Sequence, residues 1–403
     1  MAAVKLPDAP WQHAEGLAEL CNALGVTEGE SRFVGGAVRD TLLGLPVSDI
    51  DIATRYSPEN VLERFGEAGI KAIPTGIAHG TITAILPGGP VEVTTLRRDL
   101  TTDGRHATIA FTDDWREDAA RRDFTINALY ADPATGAVFD YFGGIDDLSS
   151  NIVRFIGDPL RRIAEDHLRI LRFFRFLARF GDEADAAGLA ACASRANDLM
   201  ALSRERIADE LLKLLVAKNA PTIVALMLAN DILRPVLPEA RNVQRLAQVA
   251  ALEANAGISP DPFRRLAALL PDDAATGEAI GARLKMSTAQ RRRLATALDA
   301  TQVQPPRALA YRLGLAGAID RLFLHTPPNK AATQFREIAD WAVPSLPISG
   351  GALVDRGIGR GPDVARTLRA IEDQWVDEDF PGDARLAEIT AAAVDQALRS
   401  IRN

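Results

Sequence analysis

The chain has 403 residues and a net charge of −8, and 40 of its 46 basic side chains are arginines. Its 47% hydrophobic and 25% charged content is typical of a soluble globular protein with two to four folding units. An acidic total disfavours a protein that coats nucleic acid non-specifically, because that mode requires a broadly positive surface. The arginine bias could serve bidentate recognition of phosphates and bases, or it could reflect base composition alone.

Targeting and cysteine patterns narrow the class further. Cys21 and Cys192 are too few for a disulfide framework or a four-thiolate zinc site. The N-terminus lacks a basic region followed by an apolar run, and no stretch reaches the ~18 apolar residues that a membrane helix requires. We therefore expect a cytoplasmic protein that does not enter a membrane.

Composition changes near Asn151. Before it, glycine-rich turns and short alternating runs predict strands mixed with helices, including a hairpin of residues 81–86 and 91–96. The polar stretch from about 97 to 117 is interpreted as a loop. After it, the chain is rich in Ala, Leu and Arg with helical periodicity. We expect an α+β protein: an N-terminal head with a mixed or antiparallel sheet, followed by an elongated, all-helical remainder.

The first motif in chain order is Gly35-Gly36, followed by Arg39 and then by Asp49 and Asp51. Glycines before a helix let backbone N–H groups approach phosphate oxygens, although a plain tight turn is the alternative. Residues two apart on a strand share a face, so Asp49 and Asp51 would lie side by side. Such a carboxylate pair suits Mg²⁺, which keeps waters and substrate phosphates as its other ligands. An exposed strand end with two solvated acids is the competing interpretation.

Glu92 lies in the second strand of the predicted hairpin. It could be a third carboxylate near the metal, or a strand-edge acid that pairs with an arginine. The sequence leaves both open.

A second motif contains Arg121, Arg122, Asp123 and Asn127. Adjacent arginines point in different directions, so one could reach a triphosphate while the other pairs with an acid. Asp123 could fix an arginine, and Asn127 could offer its amide to a sugar or base. A surface salt-bridge cluster with the preceding acids is the alternative.

A third motif follows Asp158-Pro159, which signals the start of a helix. We expect one helical face to carry Arg162, Glu165, Asp166, Arg169 and Arg172, and the opposite face to pack in the core. Asp166 and Arg169 would present an acceptor and a donor one helical turn apart. Cytosine and adenine offer an amino donor beside ring acceptors, which matches this pair, whereas uracil and guanine have the opposite order. An ordinary surface ion pair is the alternative.

The charge along this part of the chain is segregated. Residues 154–180 contain seven arginines and three acids, although the whole chain is acidic. This excess predicts one local basic surface. Downstream, Ser203 is expected to cap a further helix.

Together and in this order, the motifs resemble those of the class II branch of the polymerase β nucleotidyltransferase superfamily, which comprises CCA-adding enzymes and bacterial poly(A) polymerases. Residues 74–81 and 91–97 look like the CCA-adding form, and the stretch near 97–117 matches a segment that helps the family to switch from CTP to ATP. The resemblance implies template-independent addition of C, C and A to the tRNA 3′ end from CTP and ATP, with Mg²⁺ as cofactor and pyrophosphate as product. Narrower CC-adding, A-adding or poly(A) polymerase activity, or a non-catalytic RNA-binding protein, are the alternatives.

The resemblance also assigns roles to residues. It implies catalysis and metal binding by Asp49 and Asp51, and Glu92 stays a third catalytic candidate because of its place in the hairpin. Asp166 and Arg169 would act as a protein template for the base. The expected nucleotide-binding residues are Gly35, Gly36, Arg39, Arg121, Arg122, Asp123, Asn127, Glu165, Asp166, Arg169 and Arg172. The expected RNA contacts are Arg175, Arg179, Gly359 and Arg360.

The implied domain order has five parts, and no obligatory protein partner is expected. The parts are an N-terminal helix at 1–29, a nucleotidyltransferase head at 30–153, a neck at 154–225, a body at 226–340 and a tail at 341–403.

Overall fold

The computed structural model describes residues 4–102, 107–301, 304–359 and 361–402. The chain divides into two compact units, Met1–Pro238 and Glu239–Asn403. The finer division into five parts remains a prediction.

The described part of the first unit contains short strands in its head region and two strand pairs beside it. They are β1 (Ser31–Val34), β2 (Ile50–Thr54), β3 (Lys71–Gly76), β4 (Thr81–Leu86), β5 (Gly89–Thr95), β6 (Arg97–Thr102), β7 (Ala107–Phe111), β8 (Leu129–Ala131), β9 (Val138–Asp140), β10 (Ile152–Val153) and β11 (Glu183–Ala184). Seven of them form one sheet in the order β3-β4-β5-β2-β1-β8-β9. β2 and β5 run parallel and the other neighbours run antiparallel, which confirms the expected mixed sheet.

Helices cover this sheet and continue after it. They are α1 (Leu17–Ala23), α2 (Gly36–Leu42), α3 (Pro58–Glu67), α4 (Trp115–Ala120), α5 (Gly144–Ser149), α6 (Pro159–Glu165), α7 (Arg169–Phe180), α8 (Ala186–Ser194), α9 (Arg204–Leu215) and α10 (Ala220–Ala229). Short 3₁₀ turns lie at Pro10–His13, Ile77–His79, Thr125–Asn127 and Ala196–Ala201. Helix starts follow the expected caps: the Asp158 carboxylate accepts from the backbone N–H of Arg161 at 2.7 Å, and the Ser203 hydroxyl accepts from that of Arg206 at 3.4 Å.

The stretch expected to be a loop from about 97 to 117 is mostly structured. It forms the antiparallel pair β6–β7 and then α4, with residues 103–106 outside the described part of the chain. The prediction of a loop is therefore wrong for the described part of this stretch, because polarity alone does not distinguish an exposed strand pair from a loop.

The single helix expected from Asp158 onward is broken. α6 ends at Glu165, Asp166 has an extended backbone (φ −150°, ψ 108°), and α7 begins at Arg169. The Asp166 side chain accepts from the backbone N–H of Leu168 at 3.1 Å, so this residue ends one helix and starts the next. The prediction that one continuous helical face carries Arg162, Glu165, Asp166, Arg169 and Arg172 is therefore wrong. Asp166, Arg169 and Arg172 nevertheless line the same cavity, which is described below.

An aromatic cluster fixes α7 against the head. Phe124, which precedes the 3₁₀ turn at Thr125–Asn127, packs on Phe155 and Phe176 with ring centroids 4.9 and 5.4 Å apart. Phe155 stacks on Phe173 of α7 at 5.4 Å. Phe124 and Phe173 are fully buried, so burial of apolar area ties the helical segment to the sheet region. The face of this segment that was expected to pack in the core is also fully buried; it contains Ile163, Ile170, Phe174 and Leu177.

The described part of the second unit is helical, as expected. Its helices are α11 (Val243–Ala256), α12 (Pro262–Leu269), α13 (Ala274–Arg283), α14 (Thr288–Leu298), α15 (Pro306–His325), α16 (Pro328–Ala339), α17 (Gly350–Val354), α18 (Pro362–Asp377) and α19 (Asp383–Arg402). Glu253 bonds Arg264 and Arg265 in its interior, and Asp320 bonds Arg264 and Arg293. These buried charges are mutually paired, which is what burial of ionised groups requires.

Candidate active site

A cavity of about 600 Å³ lies in the first unit. It brings together residues from the loop before α2, the start of β2, the end of α4 and helix α7. Its wall consists of Gly35, Gly36, Arg39, Asp49, Asp51, Arg97, Arg121, Arg122, Asp123, Asn127, Asp166, Arg169, Arg172, Arg175 and Phe176. Seven arginines face four aspartates, so the wall carries a net positive charge that suits an anionic ligand.

The carboxylate pair lies at the start of β2. Asp49 is exposed just before the strand, where Ser48 donates to it at 2.7 Å, and Asp51 is the second strand residue. Burial raises the pKa of Asp51 to about 6; the charge of Arg122 opposes this rise, and Glu92 and Asp49 add to it. Among the described residues neither Asp49 nor Asp51 forms an ion pair, so a cation bound here would relieve the repulsion between the carboxylates.

Glu92 is the β5 partner of Asp51 across the parallel pair, and it is exposed. It does not line the cavity. Within the described ranges no group of three His, Cys, Asp or Glu side chains is arranged to hold a metal. A third ligand role for Glu92 therefore remains a prediction, while Asp49 and Asp51 fit a metal that takes its remaining ligands from water and phosphate.

The glycine turn holds the backbone close to an arginine. Gly35 has φ +68°, and a Cβ placed there would lie 3.4 Å from Nη1 of Arg122. Its neighbour Gly36 has more room, since a Cβ there would lie 3.8 Å from Nη2 of Arg39. Only Gly35 thus needs to be glycine for conformational reasons.

Arg39 is buried to 5% exposure on α2. Its guanidinium bonds Asp40 at 2.7 Å, donates to Oδ1 of Asn127, and lies 4.4 Å from the ring centre of Phe180. Burial lowers the pKa of Arg39, while Asp40 counteracts that effect. The Asn127 amide also donates to Asp123 at 3.0 Å, so this side chain orients its neighbours as well as lining the cavity.

Asp118, which is 1% exposed, organises the arginines at this end. It pairs with Arg121 at 2.7 Å and Arg122 at 3.3 Å, and accepts from the Tyr130 hydroxyl at 2.6 Å and the backbone N–H of Arg97 at 3.3 Å. Burial alone would raise the pKa of the Asp118 carboxyl, but Arg121, Arg122 and Tyr130 more than offset it and hold the pKa at about 2. The salt-bridge cluster weighed from the sequence is thus present, but it is buried and supports the cavity wall.

Arg169 is fixed from three sides. Its Nη1 donates to Glu165 at 2.7 Å and to the carbonyl oxygen of Arg162 at 3.0 Å, and its Nη2 donates to the carbonyl oxygen of Arg121 at 2.7 Å. The last contact ties the end of α4 to the start of α7. Glu165 holds Arg169 but does not line the cavity wall, so its expected part in nucleotide binding remains a prediction.

Asp166 forms no ion pair with Arg169 among the described residues, so the two are not the ordinary surface ion pair that was the alternative interpretation. Its carboxylate meets Arg206 of α9, whose Nη2 lies 3.2 Å from Oδ1 and 3.0 Å from Oδ2. Both Asp166 and Arg169 line the cavity.

Arg172 is held by two acids, Asp123 at 2.6 Å and Glu210 at 3.5 Å. Burial would lower the pKa of Arg172, but these carboxylates raise it overall. Burial would likewise raise the pKa of Asp123, whereas Arg172 and Asn127 hold it at about 2. The expected role of Asp123 in fixing an arginine therefore matches its contact.

The positive excess predicted for residues 154–180 is largely matched by acids from elsewhere. Arg175 bonds Glu210 at 2.5 Å, and Arg179 bonds Asp40 at 3.0 Å. A charge count over residues 154–180 does not include these acids, because Glu210 and Asp40 lie elsewhere in the chain. Arg175 lines the cavity and Arg179 does not. Gly359 is exposed in the second unit, ahead of α18, and Arg360 lies outside the described residues.

Arg97, Phe176 and Arg206 were not among the predicted site residues, and Asp118 was considered only as a member of a surface salt-bridge cluster. Arg97 and Phe176 line the cavity, while Asp118 and Arg206 hold wall residues from behind. Asp118 lies four residues before Arg122, a spacing that indicates a helical ion pair but does not reveal that the pair is buried. Arg206 gave no such signal, because its partner is 40 residues away.

Comparison with known proteins places this site in a family. Residues 31–154 match the Poly A polymerase head domain, and residues 185–243 match a model described as the probable RNA and SrmB-binding site of polymerase A. The human mitochondrial CCA tRNA nucleotidyltransferase 1 is 36% identical over 379 residues, which cover 90% of this chain and 86% of the relative. The chain belongs to the CCA tRNA nucleotidyltransferase family.

Bacterial relatives agree with this membership. The CCA-adding enzyme of Limosilactobacillus fermentum is 32% identical over 369 residues, covering 88% of this chain and 90% of the relative. The crystal structure of the Bacillus stearothermophilus CCA-adding enzyme in complex with CTP superposes with a TM-score of 0.71 at 26% identity, covering 97% of this chain and all of the other. The Thermotoga maritima CCA-adding enzyme complexed with tRNA shares the fold at 19% identity, with a TM-score of 0.68 and full coverage of both chains.

Family membership indicates the general class of the cofactor. Nucleotidyltransferases of this family generally use divalent metal ions. Within the described residues no helix is both long enough and apolar enough to cross a bilayer. Cytoplasmic location remains a prediction, since the human, mouse and zebrafish relatives are named as mitochondrial enzymes.

Proposed function

We propose that this chain adds C, C and A to the 3′ end of tRNA without a nucleic-acid template, using CTP and ATP. The 3′ hydroxyl attacks the α-phosphate, a new phosphodiester bond forms, and pyrophosphate leaves. The observation that carries the proposal is the cavity of a member of this family. Its wall brings together two carboxylates that form no ion pair among the described residues, seven arginines, and the side chains of Asp166 and Arg169.

Asp49 and Asp51 are proposed to hold Mg²⁺. Their oxygen ligands, the like charge of Glu92 near Asp51 and the raised pKa of Asp51 all fit a hard divalent cation. When bound, such an ion activates the attacking hydroxyl and stabilises charge on the leaving oxygens. Glu92 is a candidate for an outer role at the same ion.

The triphosphate is proposed to lie along Gly35, Gly36 and the arginines of the cavity wall near this glycine turn. Gly35 has no side chain over the start of α2, where the first backbone N–H groups of a helix have no partner within the helix, and Arg122, held by Asp118, lies beside it. Arg39, Arg97 and Arg121 add donors to the same wall. Planar guanidinium groups bind phosphate oxygens in pairs, so positions fixed by Asp118 and Asn127 favour one phosphate geometry.

The base is proposed to meet Asp166 and Arg169. Arg169 has five N–H donors, and its three bonds within the described structure leave Nε–H and one Nη2–H for a ligand. These two parallel donors match O2 and N3 of cytosine, or N1 of adenine, while Asp166 accepts from the amino group. Uracil and guanine would place an acceptor opposite Asp166 and leave polar groups unpaired, which is the strong form of discrimination.

The remaining polar residues are proposed to support this arrangement. Asp123 and Glu165 fix Arg172 and Arg169, and Asn127 fixes Arg39. Arg172 keeps a cavity-facing position from which it reaches sugar or phosphate. Arg175, Arg179, Gly359 and Arg360 are proposed as tRNA contacts.

Incorporation assays on three tRNA forms test the proposed function. Transcripts ending before CCA, after the first C and after CC would each be incubated with labelled CTP, ATP, UTP or GTP. Extension to CCA on all three, with no U or G, is the expected result. Extension by C alone or by A alone would instead indicate a CC-adding or A-adding enzyme, and long A tails on unrelated RNA a poly(A) polymerase. Binding without any incorporation would indicate a non-catalytic RNA-binding protein.

A further inference from the structure

The Asp166 carboxylate is not oriented by a helix. Its backbone is extended at the break between α6 and α7, so the regular side-chain direction of a helix does not apply. Among the described residues its carboxylate has two hydrogen-bond partners: the backbone N–H of Leu168 at 3.1 Å, and Arg206 at 3.0 and 3.2 Å. The direction of this carboxylate therefore depends largely on Arg206.

Arg206 belongs to a charged face of α9 that backs the cavity wall. Glu210 lies one turn further along the same face, is 4% exposed, and bonds both Arg172 and Arg175. Arg206 thus holds Asp166 of the cavity wall. Glu210 holds the wall residues Arg172 and Arg175. The Ser203 cap fixes the start of this helix at the backbone N–H of Arg206 itself.

We propose that Arg206 is a positioning residue for base selection, which orients the Asp166 carboxylate so that its acceptor oxygens face the amino group of cytosine or adenine. The inference rests on the proposed function, in which Asp166 reads the base. A guanidinium only donates hydrogen bonds, so a carboxyl group held by it presents acceptors to the base. Without Arg206 the carboxyl can turn about its side-chain bonds and lose this orientation.

An ordinary ion pair would behave differently. The Arg206 and Asp166 side chains are 38% and 30% exposed, and pairs this exposed contribute little to stability. Loss of a merely structural pair would leave the choice of nucleotide unchanged. Selectivity is therefore the informative readout.

The test compares Arg206→Gln with Arg204→Gln in the full chain. Arg204 precedes Arg206 on α9 and contacts only the Met200 sulfur in the described structure, so its substitution removes the same charge from the same helix. The measured quantity is kcat/KM for CTP relative to UTP on tRNA lacking CCA, with the dissociation constants of CTP and UTP measured in parallel for weakly active variants. We expect Arg206→Gln to lower the CTP preference about tenfold and Arg204→Gln to leave it unchanged. Equal selectivity in wild type and Arg206→Gln would overturn the proposal.

A double-mutant cycle separates this inference from the proposed function. Asp166→Ala alone should abolish most of the CTP preference; if it does not, base reading by Asp166 is wrong, and the positioning role of Arg206 falls with it. If it does, Arg206→Gln should add nothing in the Asp166→Ala background. A further loss of the same size there would show that Arg206 acts by another route. Arg206→Lys provides a second variant if the Gln variant does not fold, and its single ammonium group should restore selectivity only in part.

Discussion

At one end of the cavity, around Glu165, Asp166 and Arg169, each charged side chain is held by a partner of opposite charge. At the other end, Asp49 and Asp51 lie near Glu92 and form no ion pair among the described residues. The first arrangement is complete as protein, since its donors and acceptors already point in fixed directions. The second is electrostatically incomplete and gains most from a bound cation. We infer that the protein alone can select the base, whereas catalysis requires the bound metal ion.

The largest expected effect comes from the incomplete end. Asp51→Asn should lower the rate of CMP and AMP incorporation about a thousandfold, because it removes a proposed metal ligand that stabilises charge in the transition state. CTP binding should change far less. Single-turnover incorporation beside equilibrium CTP binding measures both quantities. An unchanged rate would contradict the metal assignment.

A smaller loss is expected from Asp118→Asn. It breaks a buried network that holds Arg121 and Arg122, so kcat/KM should fall roughly a hundredfold for CTP and ATP alike, with the preference over UTP retained. The free energy of unfolding should fall by about 3 kcal/mol, because buried charges lose their partner. Steady-state kinetics and urea unfolding check the two parts.

Tyr130→Phe is the matched control for Asp118→Asn, because it keeps the Asp118 charge and removes only two hydroxyl bonds. The hydroxyl donates to Asp118 at 2.6 Å and accepts from Nε of Arg122 at 3.2 Å, and each bond is worth about 1 kcal/mol. The pH dependence offers a second check. The pKa of Asp118 is held at about 2, below its usual 3.8, so its contribution is present above pH 3.8 and lost as the pH falls towards 2. Asp118→Asn should flatten the stability curve in that range. An equally steep curve would rule out this contribution.

At the complete end, Arg169→Ala should reduce the preference for CTP over UTP by about tenfold or more, since two donors to the base are lost. The affinity for the metal should stay near that of wild type. Competition between labelled CTP and UTP gives the first quantity, and titration calorimetry with Mg²⁺ gives the second. Undiminished rejection of UTP would refute the template role of Arg169.

The smallest expected effect concerns the glycine turn. Gly35→Ala should cost about 1–2 kcal/mol in stability, because φ is +68°, and weaken nucleotide binding, because the added methyl group lies beside Arg122 on the cavity wall. Gly36→Ala is the control, with more open space and no positive φ. Thermal unfolding and CTP affinity measure the difference. Equal behaviour of the two variants would show that Gly35 is not conformationally special.

Much of this organisation could be predicted from local sequence. The β4–β5 hairpin, the Asp158 and Ser203 caps and the position of Asp49 and Asp51 at one strand depend on neighbours within a few residues. The break at Asp166, by contrast, replaces helical hydrogen bonds with a side-chain bond that periodicity does not reveal.

The partners of Asp166 and Arg175 could not be predicted for a different reason, which is their distance along the chain. Arg206 meets Asp166 across 40 residues, and Glu210 meets Arg175 across 35. Folding alone makes these pairs, so a charge count along the chain overstated the free positive surface of residues 154–180. The pair β6–β7 was predicted to be a loop because the stretch from about 97 to 117 is polar.

The most direct test compares nucleotide binding with and without the metal. Dissociation constants for CTP and UTP would be measured on the wild-type chain with Mg²⁺ and again with EDTA. If selection is built into Asp166 and Arg169, both constants rise without the metal while their ratio stays the same, and incorporation stops. A ratio that falls to one in EDTA would contradict a base-reading end that is complete without the metal.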